Sequence, residues 1–196
     1  MGGLTIASFL GRNPLIAEKL AGVIYSAPYF GVHEALGVDF AKKAVTGVLS
    51  GLLDEFAVVA PLPIHKVCKS KAYMRSVITG RKASARMSLG LIDSMFKNHD
   101  RVLNYASNVN YPYLLALAEK DSIVSNKVAR QWHDQTSSKT KVLKVIQGAY
   151  HELTKEPNNH VVFESVLKFM ADRLKPGPGC AKNFGQFSSK DVRFAT

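Results

Sequence analysis

A chain of 196 residues with 46% hydrophobic content can bury one sizeable core and is too short for two ordinary domains. Its 26 Lys and Arg against 15 Asp and Glu give a formal charge of +11, which favours anionic surfaces such as phospholipid headgroups or nucleic acid and says nothing of fold. Two cysteines, Cys68 and Cys180, are too few and too far apart for a disulfide framework or a zinc site. No apolar run reaches the roughly 18 residues of a spanning helix. The N-terminus lacks the charged and apolar regions of a signal peptide, and Ile6 stands where a myristoylation motif needs Ser or Thr. The expectation is a cytoplasmic protein, with any membrane attachment peripheral.

Residues 2–11, GGLTIASFLG, are small and apolar, which suits a helix packed closely on a sheet and stopped by Gly11-Arg12-Asn13-Pro14. Gly22-Val23-Ile24-Tyr25-Ser26-Ala27-Pro28 is a short apolar run closed by proline and reads as a fully buried parallel strand. From Val38 to Phe56 apolar residues recur at Val38, Ala41, Val45, Val48, Leu49, Leu52, Leu53 and Phe56, the stripe of an amphipathic helix. Pro61 and Pro63 break that pattern, and a basic stretch runs on to Gly80. No acid falls between Phe56 and Ile92, whereas Lys66, Lys69, Lys71, Arg75, Arg81, Lys82 and Arg86 all do. A second helical pattern runs from about Lys82 to Met95.

Tyr111 to Leu117, YPYLLAL, is the next buried strand, followed by a helix from about Asn126 to Thr136. Thr140 to Ile146 alternates as a strand, and Val161 to Leu174 is a closing helix with a stripe at Val162, Val166, Phe169 and Met170. Strands alternating with helices indicate an α/β fold with a parallel sheet and right-handed crossovers. The Pro/Gly-rich and polar remainder, residues 175–196, reads as a flexible tail.

Two residues carry the chemistry. The second strand ends in Ala118-Glu119-Lys120-Asp121 and the third in Gln147-Gly148-Ala149-Tyr150-His151. An acid and a histidine thus emerge at the carboxyl edge of the sheet, where open α/β sheets place their ligands. In acyl transfer a histidine takes a proton from a nucleophile while a carboxylate fixes its tautomer, and acid before histidine is the chain order of the α/β-hydrolase triad. The bland alternative is that Asp121 caps the following helix and His151 only ends a strand. His33 and His65 lack a paired carboxylate at motif spacing. His99, His133 and His160 read as surface residues, and Trp132 as core.

Met1-Gly2-Gly3 opening a small-residue helix, GVIYSAP, YPYLLALAEKDSIV and VIQGAYHEL, in this order and at these separations, resemble the monoacylglycerol lipase and lysophospholipase-like serine hydrolases, a group that also includes serine aminopeptidases. That family's nucleophile elbow reads G-H-S-M-G-G, its acid lies in G-x-x-D and its histidine in G-x-x-H. Met1-Gly2-Gly3 matches the second half of the elbow, Asp121 the acid, with Ala118 in place of the family glycine, and Gly148 to His151 the histidine motif.

The resemblance implies an incomplete α/β-hydrolase fold over residues 1–174, with a helical cap insertion at about 29–100. It places the nucleophilic serine immediately before Met1, with the Met1 backbone N–H as an oxyanion donor and Gly2 as the elbow glycine, where a side chain would clash. The expected substrate is a carboxylic ester of a lipid, with no metal or organic cofactor. The basic cap would suit peripheral membrane contact. Neither Ser8, within a helix, nor Ser26, at a strand end, is placed to replace the nucleophile, so these 196 residues by themselves are expected to be inactive. A start placed at an internal methionine, or a partial gene, explains the arrangement most economically. The alternative is a non-catalytic, hydrolase-derived binding or assembly subunit whose protein partner covers the open sheet edge. A nucleic-acid binder has the charge in its favour but no motif and no aromatics interleaved with the basic stretch.

Overall fold

The computed structural model of the chain describes residues 1–33, 40–59, 64–79 and 86–174. The expected tail, Cys180 and the start of the Val38 stripe lie outside the described residues. The body is a three-stranded parallel sheet in the order β1 (Val23–Ser26), β4 (Tyr113–Ala118), β5 (Lys141–Ile146). In register, Val23 lies opposite Tyr113 and Tyr113 opposite Lys141, continuing to Ala118 opposite Ile146. Central β4 is buried at all six positions, which is why its sequence is a continuous apolar run.

Helices cover both faces. On one lie α1 (Gly2–Arg12), α5 (Leu89–Asn104) and α6 (Asn126–Gln135), with the short α2 (Pro14–Ala17) following α1. Their shared core gathers Leu4, Ala7, Leu10, Val102 and Leu115 around an aromatic knot. Trp132 sits at its centre, with ring centroids 4.7 Å from Phe30, 5.0 Å from Tyr113 and 5.4 Å from Tyr25. The knot's hydroxyls are paired, as burial requires: Tyr25 with Tyr111 at 2.7 Å, and Tyr113 with Thr136 Oγ1 at 2.7 Å. Burial pushes the Tyr25 phenol far up and that of Tyr111 to about 12. The other face, covered by α7 (His160–Arg173), is built from smaller side chains, with Ala27, Ala116, Ala118 and Ala149 beside Ile146, Leu153 and Val162.

The first helix and strand are less buried than their composition suggested. Ile6 and Phe9 on α1, Leu20, and Ile24 on β1 are exposed, because β1 is an edge strand of this sheet and α1 overhangs that edge. With Thr5, Leu10, Gly22 and Val23 they line an apolar groove of about 500 Å³.

Between β1 and β4 the chain leaves the sheet in a long insertion, where the cap is expected. Its described parts are α3 (Phe40–Leu52), β2 (Ala57–Val59), a single 3-10 turn (Ile64–Lys66), α4 (Lys71–Thr79) and β3 (Arg86–Ser88), which leads into α5. One expectation is corrected here. The helical pattern read from about Lys82 to Met95 is interrupted at residues 86–88, which pair antiparallel with 57–59, so α5 starts at Leu89, where the Ser88 hydroxyl caps it by accepting from the Leu91 amide. The basic stretch also contains α4, which the sequence pattern did not reveal. Gly90 lets the turn before β2 come close, since a β-carbon there would fall 1.5 Å from Asp54 Oδ1.

Gly3 performs a similar service for α1. A β-carbon on it would lie 2.6 Å from that of Pro28, whereas one on Gly2 would meet nothing within 4 Å. The crowding expected at Gly2 therefore falls, among the described residues, on Gly3. Gly3→Ala is expected to lower unfolding free energy in urea by about 1–3 kcal/mol, the usual range for overpacking, while Gly2→Ala costs nothing or stabilises the helix slightly.

Candidate active site

Because β1, β4 and β5 run parallel, their carboxyl ends share one edge, and the loops leaving β4 and β5 are laced together there. The Glu119 amide donates to the Ile146 carbonyl at 3.1 Å and the Lys120 amide to the Ala149 carbonyl at 2.9 Å. The Glu119 carboxylate accepts from the Gly148 amide at 2.6 Å. Gly148 has a φ of +67°, a left-handed turn open to glycine without steric cost, and it swings the chain back so that His151 faces the acid loop.

On its other side the acid loop is held by the segment after β1. The Ser125 amide donates to the Gly31 carbonyl at 2.9 Å, the His33 amide to the Ile123 carbonyl at 3.3 Å, and Val32 forms a β-bridge with Val124. His99 Nδ1 in turn bonds the Phe30 carbonyl. Ala27, at the carboxyl end of β1, takes a φ of +39°, an uncommon conformation for a residue with a β-carbon.

Asp121 is thus fixed from two directions. Its side chain is 0% exposed, and both carboxylate oxygens are engaged. Oδ1 accepts the Ile123 amide at 2.8 Å and the Val124 amide at 3.0 Å, and Oδ2 receives His151 Nδ1 at 2.8 Å. A carboxylate can only accept, so the hydrogen resides on His151 Nδ1 and Nε2 is the basic nitrogen. The imidazole is 25% exposed, open enough to exchange a proton with a group beside it.

The two residues expected to work together are therefore brought together. Met1 and Gly2 lie at the start of α1, where the Met1 carbonyl accepts the Leu4 and Thr5 amides at 2.9 and 3.2 Å. The close approach of Gly3 to Pro28, just beyond β1, puts this start at the same sheet edge as Asp121 and His151. Ser8 is buried within α1, and Ser26 ends β1. Among the described residues no cluster of three His, Cys, Asp or Glu could hold a metal ion. Two histidines read as surface residues are instead half-buried and bonded, His99 to Phe30 and His133 Nδ1 to the Tyr113 hydroxyl at 2.9 Å. Burial lowers the His133 pKa, with the Lys141 ammonium adding to the effect and Asp134 opposing it. Glu119 and Glu156 went unnoticed in the sequence; the only signal was their place in the loops that carry the acid and histidine.

The sequence pattern of the family described as serine aminopeptidase, S33, matches residues 1–158. The chain belongs to this family of α/β-hydrolases. It is 23% identical over 181 residues to caffeoylshikimate esterase of Arabidopsis thaliana, covering 89% of this chain and 54% of that protein. With a phospholipase of Bacillus subtilis it shares 24% identity over 175 residues, 86% of this chain and 64% of the other. Its fold superposes on the crystal structure of Paleococcus ferrophilus monoacylglycerol lipase with a TM-score of 0.79 at 21% identity, over 88% of this chain and 65% of that one. The chain thus spans less than two thirds of the length of these relatives.

Asp121→Asn separates tautomer control from loop anchoring. The Asn carbonyl can still accept the Ile123 and Val124 amides, but its NH₂ must donate to His151, so the imidazole hydrogen is expected to move from Nδ1 to Nε2. Ring-nitrogen chemical shifts in a long-range ¹H–¹⁵N spectrum read this directly. An unchanged Nδ1–H pattern would mean that Asp121 does not set the tautomer.

Proposed function

We propose that this chain carries the acid and base of a serine hydrolase acting on carboxylic esters of lipids, of monoacylglycerol lipase or lysophospholipase type. The carrying observation is the 2.8 Å contact between buried Asp121 and His151 at the sheet edge where Met1-Gly2-Gly3 begins α1. Lipid esters are favoured by the names of the Bacillus and Paleococcus relatives, and the caffeoylshikimate esterase marks an ester that is not an acylglycerol as the competing substrate.

In the mechanism, a serine one residue before Met1 attacks the ester carbonyl while His151 Nε2 takes its proton. Asp121 holds the ring and stabilises the imidazolium. His151 then returns the proton to the leaving alcohol and next activates water, which releases the fatty acid. The Met1 backbone N–H, as an amide in a chain that continues upstream, donates to the oxyanion. The apolar groove beside β1 supports this reading: Ile6, Phe9, Leu20 and Ile24 are side chains that a further strand and helix would cover. That same groove is what a separate covering subunit would occupy under the non-catalytic alternative.

The test is to express the transcript's product extended upstream of Met1 beside the 196-residue chain and treat both with a fluorophosphonate probe. The extended product is expected to be labelled and to hydrolyse monoacylglycerol, with His151→Ala lowering kcat by about 10⁴-fold or more. Labelling of the 196-residue chain would overturn the placement of the nucleophile. An upstream stop codon with no elbow serine would favour the covering-subunit reading.

We also propose that the cap touches membranes peripherally. No described helix is long and apolar enough to cross one. Along the end of α3 and the turn after it, however, Val48, Leu52 and Phe56 are 69%, 78% and 59% exposed, and Lys66, Lys69, Lys71 and Arg75 follow with no intervening acid. Asp54 and Glu55 stand between Leu52 and Phe56, but exposed apolar side chains with a run of cations after them along the chain suit an anionic interface. Leu52→Asp with Phe56→Asp is expected to reduce co-sedimentation with phosphatidylserine-containing vesicles by about tenfold or more, each buried large apolar side chain contributing about 1.5–3 kcal/mol. Unchanged sedimentation would exclude this face.

A further inference from the structure

The cap and the histidine loop meet along a short seam. The Glu152 amide donates to the Val67 carbonyl at 2.9 Å. The Cys68 thiol donates to the Lys155 carbonyl at 3.2 Å. The Lys69 amide donates to Glu156 Oε1 at 2.6 Å. Two cations close the seam over aromatic rings, with Lys69 Nζ 5.1 Å from the centroid of Tyr150 and Lys155 Nζ 6.0 Å from that of Tyr73. Tyr150 and Glu152 flank His151 directly, so three cap residues in a row engage the loop that presents the base.

Glu156 is unusual within this seam. It is 2% exposed, and its second oxygen, Oε2, is buried without a hydrogen-bond partner. Burying a carboxyl oxygen without a partner costs stability, and the bond at Oε1 is what the side chain makes in return. What it holds is the main chain of the cap. Cys68 beside it is buried as well, and its thiol is pushed up to about 11, mainly by burial; the Ser70 amide at the sulfur opposes this, and the Glu156 and Glu152 carboxylates add to it. The thiol therefore stays protonated near neutrality and remains a donor across the seam.

We infer that Glu156 is a positioning residue that clamps the base of the cap, through the Lys69 amide, onto the loop carrying His151, so that seating of the cap and alignment of the imidazole on Asp121 are one coupled event. It rests on reading Asp121 and His151 as acid and base. A cap displaced from the seam releases Val67, Cys68 and Lys69 from residues 152–156, and the loop loses the contacts that hold His151 against its carboxylate. Loading of the cap by a substrate or surface would by the same coupling be felt at the base.

The experiment uses the 196-residue chain, with hydrogen exchange by mass spectrometry and ring-nitrogen spectra of His151 assigned through His151→Gln. Glu156→Ala is expected to speed exchange of residues 67–70 and 150–156 together by about tenfold or more, as for loss of a hydrogen bond to a charged group. Exchange in β4 should not change, and the single Nδ1–H pattern of His151 should average toward both tautomers. Glu156→Gln, which keeps an acceptor for the Lys69 amide, is expected to restore both readouts. Lys69→Pro removes that amide from the cap side and should reproduce the alanine pattern at His151, whereas Lys69→Ala, which retains it, should not. If Lys69→Pro leaves His151 unchanged, or Glu156→Ala loosens only residues 152–160, the clamp is refuted; should Glu156→Ala fail to fold, the glutamine and proline variants decide. These readouts need no turnover, so failure of the clamp is distinguishable from failure of the hydrolase reading, which the fluorophosphonate experiment tests.

Discussion

The arrangement at the sheet edge depends on keeping one carboxylate charged where no water reaches it. Removing an ionised group from water costs several kcal/mol unless its lone pairs are satisfied, and Asp121 meets that demand with two amides of its own loop and the ring of His151. The amides can point inward only if residues 122–124 turn tightly, and that turn is held by the segment after β1 on one side and the loop after β5 on the other. Three parallel strands thus contribute to the surroundings of a single side chain. The histidine is positioned because the acid's solvation shell is protein.

This explains the division of labour between the faces of the sheet. The aromatic knot around Trp132 places large rings on one face and packs α6 against β1 and β4. Beneath the loops, the opposite face uses alanine at positions 27, 116, 118 and 149. Small residues there let the backbones of successive loops approach within hydrogen-bonding distance of one another, as with Lys120 and Ala149. Bulk is placed where stability is required, and closeness where geometry is required.

The alternation of strands and helices was legible in the sequence because β4 is buried on both faces and the helices around it carry clear apolar stripes. So was the pairing of Asp121 with His151, since parallel strands must deliver both residues to one edge. The insertion between β1 and β4 was read less well. Residues 57–59 pair with 86–88 across nearly thirty positions, a contact that no local pattern announces and that overrides the helical period expected near Lys82. His99 and His133 were misplaced for a related reason: their partners, the Phe30 carbonyl and the Tyr113 hydroxyl, belong to other elements. Glu156 looks like any other solvated acid until Lys69 is brought to it from 87 residues away.

The insertion between β1 and β4 leaves from the end of one strand and returns at the start of the other, and the two strands lie side by side at a spacing of about 4.8 Å. Because β1 and β4 are adjacent, the ends of that excursion are pinned by the sheet whatever lies between them. Lengthening such a loop adds only about 0.6 kcal/mol for each doubling, and it does not alter the register of β4 with β5, which sets Asp121 against His151. Outside the seam at Val67, Cys68 and Lys69, the excursion can therefore change in length while Asp121 and His151 stay in place. One sheet edge can in this way accept covers of different length without any change in the strand register beneath them.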